Sequence, residues 1–140
     1  MSYVSQSDLR LLQDAVLEAV LLGRGLPGST TRFVMPDLDF VTAGDSVYLL
    51  DENLSGPMST TLPQKTLRIV TGQSLASLAT GTAFLRFAPA ETSPDSVVLT
   101  LEARLVRGPS EVDLGLSNVQ VRFTKSAGSW VAENPRFSAV

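Results

Sequence analysis

Val97-Val98-Leu99-Thr100-Leu101-Glu102-Ala103-Arg104-Leu105-Val106 is the stretch on which the fold turns. Val97, Leu99, Leu101, Ala103 and Leu105 alternate with Val98, Thr100, Glu102, Arg104 and Val106. Successive side chains of a strand point to opposite faces, so this rhythm defines a long β-strand with one face turned to a core. Thr82 to Ala88 has the same rhythm, with Ala83, Leu85 and Phe87 against Phe84 and Arg86. The segment between these two strands, Pro89 to Asp95, holds two prolines and acidic residues and reads as a turn. On the C-terminal side, Leu114, Leu116, Val119, Val121 and Phe123 form another long strand whose apolar phase slips by one across Ser117-Asn118. A β-bulge there lets both apolar sets face one core. Lys125 to Ser129 is then a hairpin turn, and Trp130 to Val140 is the returning strand, with Pro135 suited to an edge or a bulge.

The first part of the chain has a different period. Leu9, Leu12, Val16, Ala19 and Val20 recur at spacings of three and four, with Leu11, Ala15 and Leu22 widening the stripe. This predicts an amphipathic helix over Ser7 to Leu22, capped by Ser5 or Ser7, favoured by Asp8 near its positive end and stopped at Gly23. A turn-rich connector leads to extended segments at Arg32 to Met35 and Ser46 to Leu50, and Asp51 to Pro63 reads as an exposed loop. Leu67 to Val70 is a short strand, and Thr71 to Thr80 a short helix with Thr71 or Ser74 as its cap. Long strands joined by short loops imply a meander, and the single long helix must bury its stripe on one sheet face. The expected class is α+β, a long N-terminal helix packed on a curved, mainly antiparallel sheet of four to six strands, in one domain over residues 1–140.

Composition removes whole classes of chemistry. The 140 residues include no histidine and no cysteine. Thiolate and imidazole metal sites, Cys/His proteases, Ser-His-Asp hydrolysis and disulfide frameworks go with them, and neither a metal nor a cofactor is expected. The formal charge is -3, from 14 acidic and 11 basic residues, with no Lys/Arg run, so nucleic acid is not an expected partner. Only 18% of the residues are charged while 44% are hydrophobic, which favours an apolar ligand or a self-interface. No stretch reaches the roughly 18 apolar residues of a membrane span. The first residues lack the basic and apolar regions of a secretory signal, from which a cytoplasmic location is expected.

The run Val119-Gln120-Val121-Arg122-Phe123-Thr124-Lys125-Ser126-Ala127-Gly128-Ser129-Trp130-Val131, an alternating strand, a Lys-x-x-Gly-x-Trp hairpin and a final strand, resembles the last hairpin of the NTF2-like, cystatin-like superfamily. With the N-terminal helix and the preceding strands, the resemblance covers the chain in outline. It implies a conical cavity between helix and sheet and a homodimer formed through the sheet. The chain departs from the enzyme members in having one long helix and no histidine for an Asp/His dyad. It looks more like bacterial members with no assigned activity.

Four residues are candidates for a ligand site. Glu102, with Tyr48, would do acid/base work if its face of the strand walled a pocket, since burial raises a carboxyl pKa. The structural reading of the same residue is a cross-strand charge row with Arg104 and Arg122. Trp130 and Phe123 would line an apolar site, or else close the core as aromatics in a final hairpin do. Asp37-Leu38-Asp39 places two carboxylates on one side of an extended segment, a cation pair or a solvated turn. Gly23-Arg24-Gly25-Leu26-Pro27-Gly28 follows a helix, not a strand, and lacks a Lys-Ser/Thr, so it is a helix stop and not a phosphate loop. No serine has a histidine to activate it or a Gly-x-Ser-x-Gly elbow to carry it.

The expectation is a non-catalytic module that binds a small apolar ligand or a protein partner, with no catalytic residue assigned. An isomerase or dehydratase using carboxylate and tyrosine is the alternative, and a structural homodimeric accessory protein a third.

Overall fold

A computed structural model of the chain describes residues 4–28, 38–107, 114–133 and 135–139. Helix α1 spans Gln6–Leu22. The Ser5 side chain accepts a hydrogen bond from the Asp8 amide at 3.1 Å, and Gly23, left-handed at φ 69°, closes the other end by donating to the Ala19 carbonyl. Ser5 is thus the cap of the expected pair. A short helix α2 (Leu38–Val41) precedes β1 (Ser46–Leu50) and β2 (Thr66–Val70). Helix α3 (Gly72–Ala76), capped by Thr71, leads to β3 (Ala83–Phe87), then β4 (Glu91–Ser93), β5 (Ser96–Leu105), β6 (Leu114–Ser126), β7 (Ser129–Ala132) and β8 (Arg136–Ala139).

The eight strands among the described residues join one sheet in the order β2-β1-β3-β5-β6-β7, with β4 on β5 and β8 on β6. The fold is α+β, with a curled, mixed sheet set against α1. The expected four to six mainly antiparallel strands are corrected to eight among the described residues, with β1 parallel to both β2 and β3. The reason lies in the connections. Residues 51–65 are long enough for the crossover from β1 to its parallel neighbour β2, and residues 71–82 carry the chain from β2 past β1 to β3, whereas the later strands are joined antiparallel. The turn expected between Pro89 and Asp95 contains β4, which folds back on the start of β5 with Glu91 opposite Val98.

The even-odd rhythm becomes two faces. Val97, Leu99, Leu101, Ala103, Val119, Val121 and Phe123 are fully buried on the inner face, under α1. The helix contributes Leu12, Val16, Leu17 and Val20 to the same core. Each Val, Leu or Phe side chain among them stabilises by about 1.5–3 kcal/mol on full burial. The bulge falls one residue before its expected place: Ala103 faces Ser117, Arg104 faces Gly115, and Leu116 is the extra residue. Ser117 therefore continues the inner row, buried, while Leu116 packs at the core's margin.

A smaller cluster occupies the outer face at one end. Leu50, Leu75, Phe84 and Val106 are buried there beneath α3, with Tyr48, Val70 and Leu78 packed around them. The remainder of the outer face, on β5 and β6, has no helix among the described residues.

The segment 51–63 is more than the exposed loop its composition suggests. Gln13 and Asp14, in the middle of α1, are buried because this segment lies across them. The Gln13 side chain donates to the Asn53 carbonyl at 2.8 Å and accepts from the Ser55 amide at 3.0 Å. Asp14 accepts from the amides of Ser59 (3.2 Å) and Thr60 (3.0 Å) and from both their hydroxyls. Asn53 in turn donates to the Phe87 carbonyl at 2.8 Å, tying the strap to β3. The strand expected over residues 32–35, and Asp37, lie outside the described residues.

Candidate functional site

The four candidate residues divide between the two faces of the sheet. Phe123 is fully buried in the inner core, opposite Ala132 in the β6–β7 register. Trp130, opposite Lys125, is half-buried at the edge of that core, and the Lys125 ammonium lies 5.6 Å from the centre of its ring. Its indole N–H is buried with no hydrogen-bond partner among the described residues. Tyr48 and Glu102 are on the outer face, with β3 between them: Tyr48 is opposite Phe84, and Glu102 opposite Arg86. Tyr48 packs with the cluster under α3, away from the carboxylate.

Glu102 sits among arginines. Its Oε1 is 3.2 Å from Arg104 Nη1 and 3.9 Å from Arg86 Nη1, and Arg86 Nε lies 3.8 Å from Glu52 Oε2. This is a cross-strand charge row on a half-buried face. Arg122 takes no part in it, and pairs with Glu133 at 3.4 Å. A ligand approaching Glu102 would compete with the Arg104 guanidinium for the carboxylate.

The space between helix and sheet, where the resemblance implies a cavity, is occupied by side chains. Leu12, Val16, Leu17 and Val20 of α1 and Leu85, Phe87, Leu99, Leu101, Val121 and Phe123 of the sheet are at most 3% exposed. A concavity of about 670 Å³ lies on the opposite, outer face and is half-open to solvent. Val98 on β5, Gln120 and Arg122 on β6, Ala132 on β7, Glu133, Pro135 and Arg136 line it.

The local sequence explains this hollow. In the β6–β7 register Phe123 is opposite Ala132, but in the β6–β8 register Gln120 is opposite Arg136, so one extra residue enters the returning strand between them. Pro135 sits within that irregularity and brings no N–H to the ladder. The Glu133 amide still donates to the Arg122 carbonyl at 2.8 Å, so β7 is held until the break. The expected last strand, Trp130 to Val140, is therefore two strands on one edge of β6.

The chain matches no family model, no curated protein and no solved structure. Its site must be read from its own geometry. Among the described residues no group of three or more His, Cys, Asp or Glu is placed to hold a metal ion, and no helix is long and apolar enough to cross a membrane. Asp39 lies on α2, exposed. Of the residues around the concavity, sequence reasoning singled out Arg122 as a surface charge and Pro135 as a mark of irregularity, but missed Gln120, Glu133 and Arg136. Pro135 was the available signal, since a bulge re-aims the side chains beside it.

Proposed function

We propose that this chain is a non-catalytic module that binds a small ligand, and that its recognition surface is the outer-face concavity at the corner between β7 and β8. What supports this reading is the hollow itself, in which Gln120, Arg122, Glu133 and Arg136 surround Val98 and Pro135. The exposed lining is mainly polar, so hydrogen bonds and charge would fix a ligand's orientation, and Val98 and Pro135 would shelter only a small hydrocarbon part from water. On the inner side, among the described residues, buried apolar side chains of α1 and the sheet pack into one core. The helix set against a curled sheet agrees in outline with an NTF2-like, cystatin-like architecture, and the parallel β1 pairings depart from the mainly antiparallel sheet expected of one.

The isomerase or dehydratase alternative has less to draw on. Tyr48 and Glu102 are separated by β3, and Glu133, the one carboxylate among the described lining residues, is ion-paired with Arg122. A homodimer through the outer sheet face would compete for the same surface. The test is an amide-resolved NMR titration against a mixed panel of small neutral, cationic and anionic compounds, with sedimentation of the same sample. Shifts confined to the β6–β8 corner, in a protein that stays monomeric and turns over none of the panel, are the expected result. Turnover abolished by Glu102→Gln or Glu133→Gln would replace this reading with the enzymatic one.

A further inference from the structure

We infer that the ligand of this concavity is a small monocarboxylate, with its head group on Arg136 and its hydrocarbon part over Val98 and Pro135; this deepens the binding reading above and rests on it.

Charge within the hollow carries the first step. Arg122 and Arg136 bring two positive charges to the lining and Glu133 one negative charge. Arg122 and Glu133 are 3.4 Å apart and satisfy one another. Arg136 has no ion pair and no side-chain hydrogen bond among the described residues, and the lining itself retains one net positive charge; the carboxylate of Glu91, opposite Val98, lies on the same face with β5 and β6 between it and Arg136. A cationic ligand would have to take Glu133 from Arg122 and would then face Arg136 unscreened. An anion completes the set.

Geometry carries the second step. Thr100, Gln120 and Arg136 are neighbours in one cross-strand row, and Val98 and Arg122 in the adjacent row, so a guanidinium, an amide and an apolar floor share one patch. The planar guanidinium fork matches a carboxylate with two parallel N–H···O bonds, and the Gln120 amide brings two further donors. A phosphate monoester carries about -1.5 to -2 charges at neutral pH, more than one uncommitted arginine balances, so a single-charge head group fits better. Val98 is 9% exposed, and the small apolar surface it leaves beside the Pro135 ring suits a short alkyl tail.

The test uses the full chain, amide NMR, and hexanoate, hexanamide, hexylamine and inorganic phosphate as probes at low salt. Hexanoate is expected to shift the amides of Gln120, Arg122, Glu133 and Arg136, and to bind about tenfold more tightly than hexanamide, since a charge-assisted bidentate contact is lost in the amide. Arg136→Gln should remove that preference with the rest of the spectrum unchanged, and Arg136→Lys should restore part of it. Hexanamide binding at the same corner as tightly as hexanoate, or hexanoate binding unaffected by Arg136→Gln, overturns the carboxylate assignment and leaves the binding module standing. Phosphate binding more tightly than hexanoate overturns the monoanion step. Should none of the four probes shift these amides, both the assignment and the module reading fall.

Discussion

Asp14 shows what one buried carboxylate does in this molecule. Burial works against its charge, but hydrogen bonds from the hydroxyls and amides of Ser59 and Thr60 outweigh it and hold the carboxyl below its ordinary value of 3.8. The folded chain thus takes up this proton at a lower pH than the unfolded chain does. The contribution is complete above the ordinary value and is lost as pH falls through it towards the folded value, so stability should decline with acid in that window. Asp14→Ala removes the acceptor from several donors at once and should cost about 2–4 kcal/mol in urea unfolding at neutral pH, and should flatten the acid limb. Asp14→Asn, which keeps one acceptor, should cost less. Gly23 and Gly28 make a second comparison. Both have positive φ, 69° and 72°, but a Cβ on Gly23 would meet nothing within 4 Å among the described residues, whereas one on Gly28 would lie 2.8 Å from Val131 Cγ1. Gly23→Ala should cost about 1–2 kcal/mol of left-handed strain, and Gly28→Ala measurably more. Val131→Ala should recover part of the excess, because it removes the two nearest atoms.

Strands and turns were more legible in the sequence than their partners were. The β5 alternation, the β6 slip, the Thr71 cap and the hairpin at Lys125 to Ser129 are local patterns, and local sterics suffice to read them. Ala127 and Gly128 occupy the turn with φ 51° and 82°, the paired positive values that a tight two-residue hairpin requires. Alanine is poorly suited to the first of these, so Ala127→Asn should stabilise the hairpin by about 0.5–1 kcal/mol, read as a raised unfolding midpoint with unchanged denaturant slope. The parallel pairing of β1 with β2 and β3 was not legible. Each of those strands has five residues and no signal for its neighbour, and partner choice came from crossovers whose course is fixed by long-range contacts. The strap over α1 was missed for a similar reason. Residues 51–63 look polar and aperiodic, but Gln13, Asp14, Asn53, Ser59 and Thr60 satisfy one another only after the chain has folded.

Across the whole molecule, the main core and the outer cluster differ in size, and this sets an order of local stability. Amide exchange should be slowest in the middle of β5 and β6, whose inner side chains are fully buried, and fastest in α3 and β4, which have few buried contacts. Equal protection in α3 and β5 would show that the two clusters open only together. The chain's own residues determined the class of the fold, the long helix, the sheet's two faces and the exclusion of imidazole and thiol chemistry, because these follow from period and composition. Tertiary structure alone decided which strands are neighbours, that Phe123 belongs to the core while Glu102 is held by arginines, and that the hollow lies outside the sheet. A side chain's face is written in its parity along a strand, but what stands opposite it depends on residues far away in the chain, and a cavity exists only where such distant partners leave space between them.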